Sequence, residues 1–363
     1  MKKILTIIGA RPQFIKASVV SKAISAKEEL QEVIVHTGQH FDANMSEIFF
    51  KQLNIPRPNY LLDINGGSHG QMTGRMLQEI EKILIKEKPD CVLVYGDTNS
   101  TLAGALAASK LHIPIAHVEA GLRSFNMKMP EEINRILTDR VSDILFCPTD
   151  TSYHNLMEEG YPHASSADRE QKIFQVGDVM QDSALWFSAN SEPPVGFDIS
   201  DEFVLATIHR AENTDDIVRL KNIVFALDEI AENTPVILPI HPRTRNVLFE
   251  KNIKISNLKL IEPVGYLQML WLLKHCNLVV TDSGGVQKEA FFMGKACVTL
   301  RDQTEWVELL KFGANELVGA DYERIIDAVR KNIGRVVKDD GSLYGGGHAS
   351  EKLVDCLNEY LIQ

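Results

Sequence analysis

Short β-branched apolar runs alternate with longer helix-period segments along nearly the whole chain, the pattern of parallel sheets covered by helices on both faces. In the first half the runs at 3–8, 32–36, 91–95, 113–118 and 144–147 predict strands, and 13–27 and 100–110 predict helices between them. The alanines of 100–110 suit close packing on a sheet. The alternation restarts near residue 173, with strands expected at 174–177, 203–209, 236–240, 259–261, 278–281 and 297–300. A polar segment, 161–172, carries Pro162 and divides the two series, and a last helix, 349–361, follows Gly345-Gly346-Gly347. The expected fold is therefore α/β, with two Rossmann-like doubly wound domains at residues 1–168 and 169–346 and a C-terminal helix, 347–363, packing back on the first. In open parallel sheets the ligand sits beyond the carboxyl ends of the strands, so two such domains face to face predict a cleft between two functional walls.

Composition fits that picture. The chain has 363 residues, 44% hydrophobic and 24% charged, enough for two packed cores and far from the bias of a disordered chain. With 38 Lys+Arg against 49 Asp+Glu the net charge is −11, which argues against a nucleic-acid partner and for small molecules. Five scattered cysteines, most of them in apolar runs, read as reduced core residues. The apolar start, 4–8, is broken by Gly9-Ala10-Arg11-Pro12-Gln13 and reads as a first strand, not a leader. No apolar run approaches the roughly 20 residues that a spanning helix needs, so a cytoplasmic protein without a membrane partner is expected.

The unusual residues gather at strand ends. Gly9-Ala10-Arg11-Pro12-Gln13-Phe14-Ile15-Lys16 is a strand-to-helix turn flanked by cations, suited to an anion, or else a Pro-initiated helix with surface basic residues. Thr281-Asp282-Ser283-Gly284-Gly285 opens a second such turn, where two glycines let backbone approach a diphosphate and Glu289 can accept from ribose hydroxyls. There is no Gly-x-Gly-x-x-Gly in such a context, and Gly294-Lys295 is followed by Ala296, so neither a nicotinamide site nor a Walker loop is expected. Asp97, Glu119 and the pair Glu131-Glu132 offer acid and base groups from successive loops, though each could instead be a helix-start acid. His209-Arg210 and His241-Pro242-Arg243 add positive charge at two later strand ends. Their spacing with Glu119 and Glu212 completes no metal-ligand set, so no metal and no cofactor are expected.

Taken together, Gly9-Ala10-Arg11-Pro12, Gly96-Asp97-Thr98, His117-Val118-Glu119-Ala120-Gly121-Leu122-Arg123, Pro130-Glu131-Glu132, Asn134-Arg135, His209-Arg210, His241-Pro242-Arg243 and Thr281-Asp282-Ser283-Gly284-Gly285 resemble the non-hydrolysing UDP-N-acetylglucosamine 2-epimerases of the glycosyltransferase-B architecture. The resemblance covers essentially the whole chain and implies a homodimeric isomerase with a sugar-binding first domain and a UDP-binding second. It implies that Arg11, Lys16, Ser283, Gly284, Gly285 and Glu289 hold UDP, that Val264 and Met269 border the uracil, and that Asp97, Glu119, Glu131 and His209 are catalytic or touch the sugar. Gln39, Arg210 and His241 match positions tied to activation by a second substrate molecule, and His40 is a possible sugar or activator contact. Arg123, Arg135, Arg243 and Arg245 are possible partners for a sugar carboxylate.

Where the acetylglucosamine enzymes commonly carry Arg after Thr304-Glu305, this chain has Trp306. That departure, with the runs 36–42, 96–104 and 124–127, resembles the UDP-2,3-diacetamido-2,3-dideoxyglucuronate 2-epimerase subgroup, which makes the manno isomer for O-antigen assembly. The expected function is C2 epimerisation of that uronate; the alternatives are epimerisation of UDP-N-acetylglucosamine, a hydrolysing epimerase or glycosyltransferase sharing the UDP site, and a non-catalytic nucleotide-sugar sensor.

Overall fold

A computed structural model of the protein describes residues 1–39, 57–166, 169–197, 202–240 and 242–362. They form two compact units, Met1–Ser183 with Gly341–Gln363 and Ala184–Asp340. In the first, β1 (Lys2–Ile8), α1 (Arg11–Ser25), β2 (Leu30–His36), β3 (Tyr60–Leu61), α2 (His69–Glu87), β4 (Cys91–Tyr95), α3 (Asn99–Lys110), β5 (Ile115–Val118), α4 (Pro130–Val141), β6 (Ile144–Cys147) and α5 (Asp150–Glu158) follow in order. A two-stranded antiparallel hairpin of β7 (Ala164–Ser166) and β8 (Arg169–Glu170) precedes β9 (Lys172–Gln175) and α6 (Val179–Ser188).

The first sheet is parallel, in the order β3-β2-β1-β4-β5-β6-β9. Its central strands are covered on both faces, which is why Ile4, Leu5, Ile7 and Ile8 are all fully buried and read as one apolar run. Each such side chain contributes about 1.5–3 kcal/mol by leaving water. The alanine-rich α3 packs on β1 and β4 closely enough that a Cβ at Gly104 would stand 2.6 Å from Ile7 Cδ1. The strand near residue 173, expected to begin the second series, instead completes the first: β9 runs parallel to β6, with Ile144 opposite Lys172 and Cys147 opposite Gln175. Its apolar run carries no mark of which sheet it joins.

The second unit holds β10 (Val204–Thr207), α7 (Ala211–Thr214), α8 (Ile217–Ile230), β11 (Val236–Pro239), α9 (Pro242–Glu250), β12 (Lys259–Ile261), α10 (Tyr266–His275), β13 (Leu278–Thr281), α11 (Gly284–Phe292), β14 (Cys297–Thr299), α12 (Val307–Lys311), β15 (Asn315–Leu317) and α13 (Tyr322–Asn332). Its parallel order is β12-β11-β10-β13-β14-β15. The last helix, α14 (Ala349–Ile362), lies in the first unit: it packs on α1, and its first amides, Ala349 N–H and Ser350 N–H, donate to Asp182 at 3.1 and 2.7 Å. The short strands β3, β7, β8 and β15 are not among those expected from the sequence.

Both sheets reverse their strand order at one point, between β1 and β4 in the first and between β10 and β13 in the second. Loops leaving such neighbouring strands in opposite directions open a crevice at their carboxyl ends. The five cysteines are free, four of them buried, and burial pushes the thiols of Cys147, Cys276 and Cys297 up to about 12. Among the described residues no helix is long and apolar enough to cross a membrane.

Candidate active site

At the switch point of the first unit one side chain ties two turns together. The Gly9 and Ala10 amides donate to Gln13 Oε1 at 2.8 and 2.9 Å, and Gln13 Nε2 donates to the Tyr95 carbonyl at 2.8 Å and to the Thr98 and Thr101 hydroxyls at 3.0 Å. Gln13 thus fixes the start of α1, which Arg11 opens, against the turn that carries Asp97. Thr98 caps α3 by accepting from the Thr101 amide. Above these turns lies a cavity of about 200 Å³ whose walls include Lys16, Gln39, His69, Asp97, Asn99, Glu119, Glu131 and Asn134.

The structure brings the three sequence-predicted carboxylates, Asp97, Glu119 and Glu131, to that one cavity. Glu119 ends β5 with φ +76°, a left-handed backbone that costs a non-glycine residue roughly 1–3 kcal/mol and concentrates at functional sites. Its carboxylate ion-pairs with Lys16 from α1, both side chains being 11% exposed. Gly96 is required beside it: φ is +62°, and a Cβ there would stand 3.2 Å from Glu119 Oε2. Asp97 is held by Arg135, whose other Nη bonds Glu132 at 2.7 Å.

The adjacent acids of α4 separate cleanly. Glu131 is exposed on the cavity wall, whereas Glu132 is buried and accepts from the Ser124 amide at 2.9 Å and the Phe125 amide at 2.8 Å. Burial alone would raise the Glu132 carboxyl, but these hydrogen bonds and Arg135 hold it below the ordinary carboxylate range. Glu132 is therefore the acid that shapes the loop, and Glu131 is the one that faces the cavity.

Behind the wall, fully buried His117 bridges Asp139, at 2.7 Å from Nδ1, to the Gly96 carbonyl, at 2.7 Å from Nε2. Asp139 also receives the Gly121 amide and Arg123. Arg123, expected as a partner for a sugar carboxylate, is instead taken up by Asp139 at 2.7 Å and, in a fork, by Glu159 at 2.6 and 2.8 Å; its side chain is 1% exposed. Arg135 is likewise engaged between two acids, so neither guanidinium lines the cavity. Gln39 does line it, and its Oε1 accepts from the Ser100 amide and hydroxyl at 3.1 and 2.7 Å.

In the second unit the switch point is organised by Asp282. Its carboxylate accepts from the His209 and Arg210 amides at 3.1 and 3.0 Å and from Asn213 Nδ2 at 3.1 Å, and His209 Nδ1 lies 3.1 Å away. Burial would raise this carboxyl; the donors, His209 foremost, hold it below the usual range. Ser283 caps α11, its hydroxyl accepting from the Val286 amide, and Gly284 and Gly285 begin the helix. Glu289 is buried in the second turn of α11. Trp306 Nε1 donates to the Gly284 carbonyl at 2.9 Å, and Lys288 Nζ sits 4.2 Å from the centroid of its ring. Arg210 comes within 3.9 Å of Glu305.

Val264 lines a separate cavity of about 450 Å³ with Phe197, Lys259 and Gln268, while Met269 lies on α10 outside its lining. Arg245 pairs with Glu262 at 2.8 Å. His40 and His241 lie outside the described residues, as does the side chain of Arg243. Among the described residues no group of three His, Cys, Asp or Glu comes together as a metal site would require.

Sequence reading passed over Gln13, His69, Asn99, Asp139 and Asp282 as members of the site. Asp282 had a usable signal, an acid between a buried strand and a glycine turn, facing a second turn with free amides. His69 had none, because Asn99 lies 30 residues away, and of the partners of Gln13 only Gly9 and Ala10 are near in sequence, Tyr95 being 82 residues away.

Comparison with known proteins identifies the family. Residues 22–358 match the family described as UDP-N-acetylglucosamine 2-epimerase. A relative from Pseudomonas aeruginosa, named UDP-2,3-diacetamido-2,3-dideoxy-D-glucuronate 2-epimerase, is 66% identical over 98% of this chain and 99% of its own. A Methanocaldococcus jannaschii UDP-N-acetylglucosamine 2-epimerase is 47% identical over 98% of both chains. The crystal structure of the UDP-GlcNAc 2-epimerase of that organism, in complex with UDP-GlcNAc and UDP, superposes with a TM-score of 0.81 at 45% identity, covering 99% of this chain and 100% of that one. The expected glycosyltransferase-B-like class of two parallel α/β sheets holds. By length of match, identity and fold, the chain belongs to the UDP-N-acetylglucosamine 2-epimerase family of UDP-sugar isomerases.

Proposed function

We propose that the protein interconverts UDP-2,3-diacetamido-2,3-dideoxyglucuronate and its manno isomer at C2. The observation that carries the reading is the gathering of Asp97, Glu119 and Glu131 on one cavity, in a chain so similar to the Pseudomonas aeruginosa enzyme named for that substrate. The C2 proton of the sugar is next to no carbonyl, so removing it as a free carbanion is prohibitive. Breaking the C1–O bond, with UDP taking the electron pair, gives C1 oxocarbenium character and acidifies C2. A carboxylate then takes the C2 proton, leaving a glycal. Delivery of a proton to the opposite face of C2 and return of UDP to C1 give the epimer, so no electrons are exchanged and no redox cofactor enters.

In this reading the Ser283-Gly284-Gly285 helix start, Arg11 and His209 stabilise the leaving diphosphate, and Glu289 meets the ribose. Asp97, Glu119 and Glu131 supply acid and base on the two faces of the sugar. Lys16, assigned to UDP by resemblance, acts here through Glu119, its ion-pair partner. Val264 and Met269 border the uracil. The enzyme works as a cytoplasmic homodimer in surface-polysaccharide synthesis, with Gln39, Arg210 and His241 as contacts for a second, activating substrate molecule.

Incubation with the pure gluco uronate and chromatography of the products tests this. The expected result is an equilibrium mixture of the two UDP-sugars with no net release of UDP. Steady accumulation of UDP would show hydrolysis or transfer instead, and conversion of UDP-N-acetylglucosamine alone would move the chain to the other substrate.

A further inference from the structure

The sugar cavity is short of cations for the substrate proposed above. A uronate brings a carboxylate of its own into a space already bordered by Asp97, Glu119 and Glu131. Like charges at such distances oppose binding unless a cation answers them. Among the described lining residues only Lys16 and His69 can carry positive charge, and Lys16 is committed to Glu119. Arg135 is committed to Asp97 and Glu132, and Arg123 to Asp139 and Glu159.

His69 is the first residue of α2, just after the cap Ser68, where the leading amides of a 19-residue helix also favour negative charge. Its Nδ1 lies 3.2 Å from Asn99 Nδ2 and 3.4 Å from Asn99 Oδ1. At the shorter of these distances Nδ1 accepts from the Asn99 amide, whose oxygen is taken up by Asn134, and this places the ring's proton on Nε2. With that proton Nε2–H is a donor, and no hydrogen bond from it is found among the described residues. Asn99 is buried and bonded in turn by Asn134 at 3.4 Å, which also holds the Asp97 carbonyl at 2.9 Å. The imidazole is thus positioned by a neutral amide chain that ends at the Asp97 turn, not neutralised by an acid.

We propose that His69, oriented by Asn99, binds the C6 carboxylate of the sugar through Nε2 and so sets the preference for a uronate over a sugar neutral at C6. The inference rests on the uronate reading of the preceding subsection. The test compares calorimetric binding by the wild type and His69→Gln of three probes: UDP-2,3-diacetamido-2,3-dideoxyglucuronate, UDP-2,3-diacetamido-2,3-dideoxyglucose, which differs only at C6, and UDP. The substitution should weaken the uronate by about tenfold or more relative to the glucose analogue, the loss typical of a hydrogen bond to a charged group, while UDP binding reports that the protein is intact. Equal weakening of both sugars, or of neither, overturns the role of His69 even where the wild type epimerises the uronate. A wild type that does not bind the uronate overturns the substrate reading and the His69 role together.

Discussion

Lys16 from α1 forms an ion pair with Glu119 at the end of β5, joining a helix to a strand end 103 residues away in a pocket where each side chain is 11% exposed. A carboxylate so held is oriented for the role of a base proposed for it. Lys16→Met should therefore lower turnover by on the order of a hundredfold while leaving UDP affinity nearly unchanged. Steady-state kinetics beside UDP titration check this. A loss of UDP affinity as large as the loss of turnover would return Lys16 to the nucleotide.

Arg123 is expected to matter for folding, not for sugar recognition. Arg123→Ala leaves Asp139 buried with one cation fewer and should cost about 3 kcal/mol in chemical denaturation. If stability is unchanged and only the uronate's KM rises, the guanidinium reaches substrate after all.

Asp282 links stability to pH. Its carboxyl is held below its unfolded value of 3.8, so its contribution is fully present above that value and is lost as pH falls through the lower folded value. Asp282→Asn should cost about 2 kcal/mol at pH 7, with the gap to wild type closing only below pH 3.8. A gap already absent at pH 5 would contradict the hydrogen-bond geometry.

Trp306 braces the first carbonyl of α11 and covers Lys288. Trp306→Phe keeps the ring over the ammonium and deletes the indole N–H, so UDP should bind roughly fivefold more weakly, the loss of about 1 kcal/mol for one hydrogen bond. Unchanged affinity would separate Trp306 from the nucleotide turn.

Much of this arrangement is legible in the amino-acid sequence, because buried parallel strands are written as unbroken apolar runs and the chemistry sits in the turns that end them. Asp97, Glu119 and Glu131 could be picked out for that reason. What the chain does not display is pairing across distance. Nothing in the neighbours of Lys172–Gln175 says that the strand completes the first sheet, and Arg123 resembles a ligand-binding cation until Asp139 and Glu159 are seen around it. Glu131 and Glu132 are equivalent as letters and are told apart only by which one α4 turns inward.

The most direct measurement is proton NMR of the enzyme in deuterium oxide with UDP-2,3-diacetamido-2,3-dideoxyglucuronate, watching the C2 proton. The expected result is that deuterium enters C2 as the manno signals appear, with no build-up of free UDP, and that Glu119→Gln abolishes both. Epimer formed with the original C2 proton retained, or no C2 exchange with this sugar while UDP-N-acetylglucosamine exchanges, would contradict it.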